Sequence, residues 1–151
     1  MTPVSKGLLL CAAHVALVAS LGGKLLVDRA TLPRVWAKTV PFDPDLPIRG
    51  RYVSLRVELA RGFENAKHSS AALSVEDGML VARPAENSDV HVSNNSLDEP
   101  VAFFIPEKAP DPSRRADGEE LWVELTIPKR GPPRPIRLGG KKNGVLTPLG
   151  D

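Results

Sequence analysis

Asp43 and Asp45 stand on either side of Pro44, and two carboxylates at that spacing can share a divalent cation. No further acid or histidine follows nearby, so the pair reads as turn-capping side chains next to a proline. His68 and His91 have no neighbouring ligand residues, and His14 sits alone in an apolar run. Residues 38–49 contain a single hydroxyl, Thr39, and no serine. The chain has no glycine-rich phosphate loop, no G-x-S-x-G turn and no H-E-x-x-H pair. Catalytic, cofactor-binding and metal-binding residues are therefore expected to be none, and the protein is expected to be no enzyme.

What remains is charge. Residues 129–142 hold six bases (Lys129, Arg130, Arg134, Arg137, Lys141, Lys142) and no acid. Residues 64–99 hold seven acids and two bases. A solvated, self-complementary surface explains this polarity, and a basic strip facing anionic lipid or an acidic partner is the sharper alternative. The strip has no aromatic residue on which a base could stack, so no nucleic-acid partner is expected.

These side chains need elements to carry them, and the first element is apolar. Residues 7–23 (GLLLCAAHVALVASLGG) carry no charge, and Leu25, Leu26 and Val27 extend the run once the Lys24 ammonium reaches the headgroups. That approaches the roughly 20 residues of a membrane span. Val18 and Ser20 also fit a signal-peptide cleavage site, but the continuation past them favours an uncleaved anchor over residues 1–28. Leu10 before Cys11 is too large for a lipoprotein signal, and with one cysteine there is no disulfide framework. Lys24, Arg29, Arg34 and Lys38 follow the span, which by charge alone would hold the body in the cytoplasm. The short N-terminal tail has the layout of an export signal and favours a single-pass cell-membrane protein with its body on the extracytoplasmic side. Without residues 1–23 the chain keeps 19 of its 20 bases against 18 acids, so the net charge of +2 marks no polyanion binder.

Fifteen prolines argue against long helices in the rest of the chain. Val53, Leu55, Val57 and Leu59 alternate with polar residues, as do Leu121, Val123, Leu125 and Ile127. Glu76-Asp77-Gly78 reads as a three-residue hairpin loop, and residues 101–105 (VAFFI) as a strand covered on both faces. Residues 107–120 read as an exposed, mobile loop. The expectation is an all-β body, a small antiparallel sandwich or partly open barrel of about seven to nine strands. Residues 29–46 would be a proline-containing linker with the first strand, and 47–151 the β domain. Leu73, Val75 and Phe103 join the two alternating rows in the expected core.

The stretch PFDPDLPIRGRYVSLRVEL, residues 41–59, resembles the bacterial GDYXXLXY proteins. Pro41, Asp43 and Pro44 match that family's turn, and Gly50, Tyr52 and Leu55 its signature. Arg51 replaces the signature Asp and Val57 its second Tyr, which makes this a divergent match over about 19 residues. The resemblance implies a membrane-anchored envelope protein with no established activity and a membrane-protein partner. The signature itself reads first as structural, with Leu55 in the core and Tyr52 in the polar-facing row, its ring over a neighbouring strand and its hydroxyl at a backbone carbonyl. The alternative is a recognition edge of Arg51, Tyr52 and Arg56. Lys129-Arg130-Gly131-Pro132 and an anchor before a Gly-x-x-Val strand also faintly resemble type I signal peptidases. Those enzymes need a serine just upstream of the glycine, and it is missing here. The leading expectation is a non-enzymatic accessory or interaction protein of the envelope. Its rivals are a domain binding a small ligand or anionic lipid through Lys129, Arg130, Arg134 and Arg137, and a signal-peptidase-like protein without a nucleophile. The sequence does not set an oligomeric state.

Overall fold

The computed structural model describes residues 3–42, 52–61, 69–106, 108, 110–112 and 114–149. Contacts divide the chain into two units, residues 1–32 and 33–151. The first is one helix, α1 (Pro3–Thr31), about 43 Å long at 1.5 Å per residue. Its leucines and valines are exposed along its length, and by length and composition it is able to cross a membrane, as a signal sequence also is. The polar side chains within it bond their own helix. The His14 ring N–H donates to the Leu10 carbonyl at 2.8 Å, and the Ser20 and Thr31 hydroxyls donate to Leu17 and Val27 at 2.8 Å. That removes most of the cost of carrying them in an apolar helix.

The second unit is all β. Its strands are β1 (Arg34–Pro41), β2 (Tyr52–Val57), β3 (Ser69–Glu76), β4 (Met79–Pro84), β5 (His91–Ser93), β6 (Ser96–Leu97), β7 (Val101–Phe104), β8 (Glu119–Thr126), β9 (Arg134–Lys142) and β10 (Val145–Leu149). Among the described residues these ten strands exceed the expected seven to nine, and the two-residue β6 is too brief to show an alternation. They form two antiparallel sheets, ordered β10-β9-β8-β1-β2-β7 and β4-β3-β5-β6. β1, grouped by sequence with the linker, is an interior strand between β8 and β2.

Period-two alternation drives the packing. Val35 and Ala37 of β1, Leu55 and Val57 of β2, and Leu121, Val123 and Leu125 of β8 point inward to one core shared with Leu80, Val92 and Leu97 of the second sheet. Thr39 joins this inner row, and its hydroxyl donates to the Leu121 carbonyl at 3.1 Å, so burial leaves it satisfied. Leu73, Val75 and Phe103 are only partly buried, packing against the core from its margin.

Among the described residues three hairpins use two-residue turns with positive φ at both positions: Asp77-Gly78, Asn94-Asn95 and Asn143-Gly144. The first replaces the expected three-residue loop, since Glu76 pairs directly with Met79. The backbone beyond β2 joins the sheets. Leu59 N–H donates to the Asn95 carbonyl at 2.8 Å, Ala60 N–H to Leu80 at 2.9 Å, and Ala82 N–H to Arg61 at 3.0 Å. Residues 58–61 thus tie β6 on one side and β4 on the other.

β7 differs from expectation. The VAFFI run is an edge strand in which Ala102 and Phe104 are exposed. Its first half faces the entry to β9 across a gap of about 250 Å³ lined by Val101, Ala102, Pro132, Pro133 and Pro135. Prolines lack the N–H a ladder needs, so the six-stranded sheet does not close there by backbone bonds. The expected loop at 107–120 also carries ordered contacts: Pro112 is buried, and Arg115 lies 3.5 Å from Glu119.

Candidate interaction site

The inward rows of β1, β2, β8 and β9 leave an outward row on each strand, and these rows form one face. Register sets Trp36 opposite Glu124, Lys38 opposite Trp122, Val40 opposite Arg56, and Tyr52 opposite Phe104. Across β8 and β9 it sets Glu124 opposite Arg137, Trp122 opposite Gly139, and Glu120 opposite Lys141. Both tryptophans and the single tyrosine of the chain lie on this face.

Its β8–β9 end is saturated with internal partners. Arg137 Nε donates to Glu124 Oε2 at 2.6 Å, and the Arg137 guanidinium lies 5.5 Å above the Trp36 ring. Lys141 Nζ lies 4.2 Å from the Trp122 ring centre. Lys38 Nζ is 2.8 Å from Glu120 Oε1, and the Trp122 indole N–H donates to Glu120 Oε2 at 3.1 Å. The hydrogen bond from Lys38, then that from Trp122, holds the Glu120 carboxyl below its usual range, and the same Glu120 contact raises Lys38. Gly139 makes room for the Trp36 ring, since a Cβ there would come within 2.8 Å of it.

The other end, on β1, β2 and β7, is uncovered. Phe104 is 71% exposed, Val40 47% and Phe42 38%. The Tyr52 and Phe104 rings pack at 6.1 Å with a 46° tilt, and the Arg56 guanidinium lies 4.5 Å over Phe42. The Phe42 N–H donates to the Ser54 carbonyl at 2.8 Å, which pins that ring beside β2.

Of the residues singled out from sequence, Tyr52 and Arg56 meet in this corner, and Leu55 is fully buried in the core beneath it. Pro41 ends β1 opposite Leu55. Asp43, Pro44, Gly50 and Arg51 lie outside the described residues, as does His68. The expected bond from the Tyr52 hydroxyl to a backbone carbonyl is not made among the described residues, whereas its ring does lie against a neighbouring strand.

The basic strip is divided. Arg137 is spent on Glu124, whose side chain is 8% exposed. Arg134 sits opposite Thr126, whose hydroxyl donates to the Arg134 carbonyl at 3.3 Å. Lys129 and Arg130 belong to the β8–β9 connection and line a separate cavity of about 400 Å³ with Asn87 and Asp89. The strip does have aromatic neighbours, Trp36 and Trp122, which come from other strands and were invisible in a reading along residues 129–142. Phe104, Phe42 and Val40 were missed as surface residues; the alternation on β1 marks Val40 as outward, but an unbroken apolar run hides Phe104.

Among the described residues no group of three or more His, Cys, Asp or Glu side chains gathers as a metal site. One hydroxyl–imidazole pair forms, Ser70 Oγ to His91 Nδ1 at 3.5 Å, between paired positions of β3 and β5. It is exposed, at the limit of hydrogen-bond length, and among the described residues no carboxylate bonds the ring. No family model, curated protein or solved structure matches the chain.

Proposed function

We propose that the chain is a non-enzymatic, membrane-anchored interaction protein of the cell envelope. In this reading α1 is an uncleaved anchor, the β domain stands on the extracytoplasmic side, and the domain docks a membrane-protein partner. The observation that carries the reading is the uncovered corner of Phe104, Tyr52, Phe42, Val40 and Arg56. Folded chains seldom leave clustered aromatics in water without a use for them, and tyrosine and arginine are over-represented among residues that dominate interface energies. At the opposite end of the same face a cation lies over each indole ring, whereas among the described residues no cation lies over the Phe104 or Tyr52 ring. An anchor confines the domain to the plane of its partner, which raises effective concentration without adding a contact. The resemblance of residues 41–59 to the GDYXXLXY proteins points the same way.

The test is site-specific photo-crosslinking in native membranes, with the reactive group in place of Phe104. One defined membrane protein should be captured, and capture should fall sharply when Tyr52→Ser is added. Neutralising Lys129, Arg130, Arg134 and Arg137 should leave capture intact, whereas a lipid-binding strip would lose its membrane dependence with those charges and weaken with salt. Recovery of the protein with no partner, across several growth conditions, overturns the reading.

A further inference from the structure

Next to the aromatic corner, the end of β2 and the β5–β6 hairpin border a half-open cavity of about 630 Å³. That lies within the 300–1,000 Å³ range typical of small-molecule sites. Its polar wall comes from Arg56 and Glu58 on one side and from the turn residues Asn94 and Asn95 on the other. Leu59 and Leu97 give it apolar floor. The turn is fixed by positive φ at Asn94 (46°) and Asn95 (59°), and asparagine is among the few residues that adopt this backbone readily.

Its hydrogen-bonding groups are unevenly used. The Ser93 hydroxyl donates to Asp98 and the Ser96 hydroxyl to the Ser93 carbonyl, so those protons stabilise the hairpin itself. Asn95 Oδ1 is buried, and among the described residues it accepts no hydrogen bond. Glu58 and Arg56 make no ion pair, and the Asn94 amide makes no hydrogen bond, among the described residues. The wall therefore offers a strong donor, a strong acceptor and an amide that does both.

Charge narrows the ligand further. Among the described lining residues Arg56 and Glu58 bring one charge of each sign, and Asp98 is engaged by the Ser93 hydroxyl, so the wall carries no excess positive charge to hold a free anion. No cluster of metal ligands forms there among the described residues, which leaves a bare cation unheld. Mixed donors and acceptors above an aliphatic floor suit a molecule with hydroxyls on its rim and C–H groups on its faces. We propose that this cavity binds a small, neutral, hydroxyl-rich molecule of sugar size. Glu58 and Asn94 accept from its hydroxyls, Arg56 and Asn94 donate to them, and Leu59 and Leu97 carry its C–H face.

The test uses the full chain in detergent micelles and saturation-transfer NMR with glucose, N-acetylglucosamine and maltose as probes. At least one sugar should receive saturation from the wild-type protein. Asn94→Gly keeps the positive φ and deletes the amide, and should weaken binding about tenfold. Val40→Trp fills the cavity from β1 and should abolish binding with an unchanged circular dichroism spectrum. Phosphate and citrate should not compete. The proposal is overturned if none of the three sugars receives saturation, if either variant binds as wild type does, or if an anion displaces the sugar. Val40 and Arg56 border both the cavity and the aromatic corner, but Phe104 and Tyr52 do not line the cavity, so crosslinking from position 104 without added sugar tests the corner separately from sugar binding.

Discussion

Gly139 lies where a Cβ would come 2.8 Å from the Trp36 ring and 3.3 Å from a Leu146 methyl carbon. The indole is also held by Arg137, which is itself tied to a nearly buried Glu124, so the ring has little freedom to yield. Gly139→Ala should therefore destabilise the domain by about 1–3 kcal/mol, read as a lower midpoint in denaturant at unchanged slope. The Lys38–Glu120 pair behaves differently because water reaches both side chains. Glu120 titrates below its ordinary 4.5 in the folded state, so its contribution is present above that value and is lost as pH falls through the lowered pKa. Lys38 titrates above its ordinary 10.5, so its share is present below that value and is lost as pH rises through the raised pKa. Solvent screening limits the coupling to below about 1 kcal/mol. A double-mutant cycle with Lys38→Met and Glu120→Gln should find a small coupling at neutral pH. It should shrink in high salt and vanish in acid; a coupling that persists in acid contradicts the assignment.

β2 depends on its inward row. Leu55 is completely buried between the sheets and pairs with Val101 on one side while lying opposite Pro41 on the other. Leu55→Ala should cost about 2–5 kcal/mol, measured by chemical denaturation. The β9–β10 hairpin depends on its turn instead. Gly144 has φ of 82°, where an L side chain costs about 1–2 kcal/mol, so Gly144→Ala should lower stability by that amount although nothing crowds its Cβ. An unchanged melting temperature would refute a conformational origin. The alternation of β2 and β8 was legible because each presents one face to the core and the other outward. β7 was not, since Val101, Phe103 and Phe104 are all apolar and period two cannot be read from a run without polar members. Asn143-Gly144 is a strong hairpin signal between two apolar segments, and it marks the β9–β10 turn directly.

At the scale of the whole molecule, one helix and one β domain divide at residues 32 and 33. If α1 is an uncleaved anchor, the mature protein begins upstream of residue 7, and a periplasm-dependent reporter fused after Asp151 is active. A mature start near Leu21, or a reporter active only in the cytoplasm, contradicts the corresponding half. Circular dichroism of the part from residue 33 onward should be dominated by strand, because its long-range ladders lie within that unit.

The sequence by itself determined the apolar helix, the all-β class, most of the inward rows and the outward direction of Tyr52 and Arg56. All of these are local: they follow from the period of apolar residues along one segment and from proline and glycine between segments. Tertiary structure alone decided which rows lie side by side. It put Trp36 under Arg137 and Trp122 beneath Lys141, divided the basic strip, and set Phe104 against Tyr52. It also brought Glu58 to face Asn94 and Asn95 across a cavity. Alternation states which face of a strand is apolar, but strand order and register arise from how the described strands jointly bury one core.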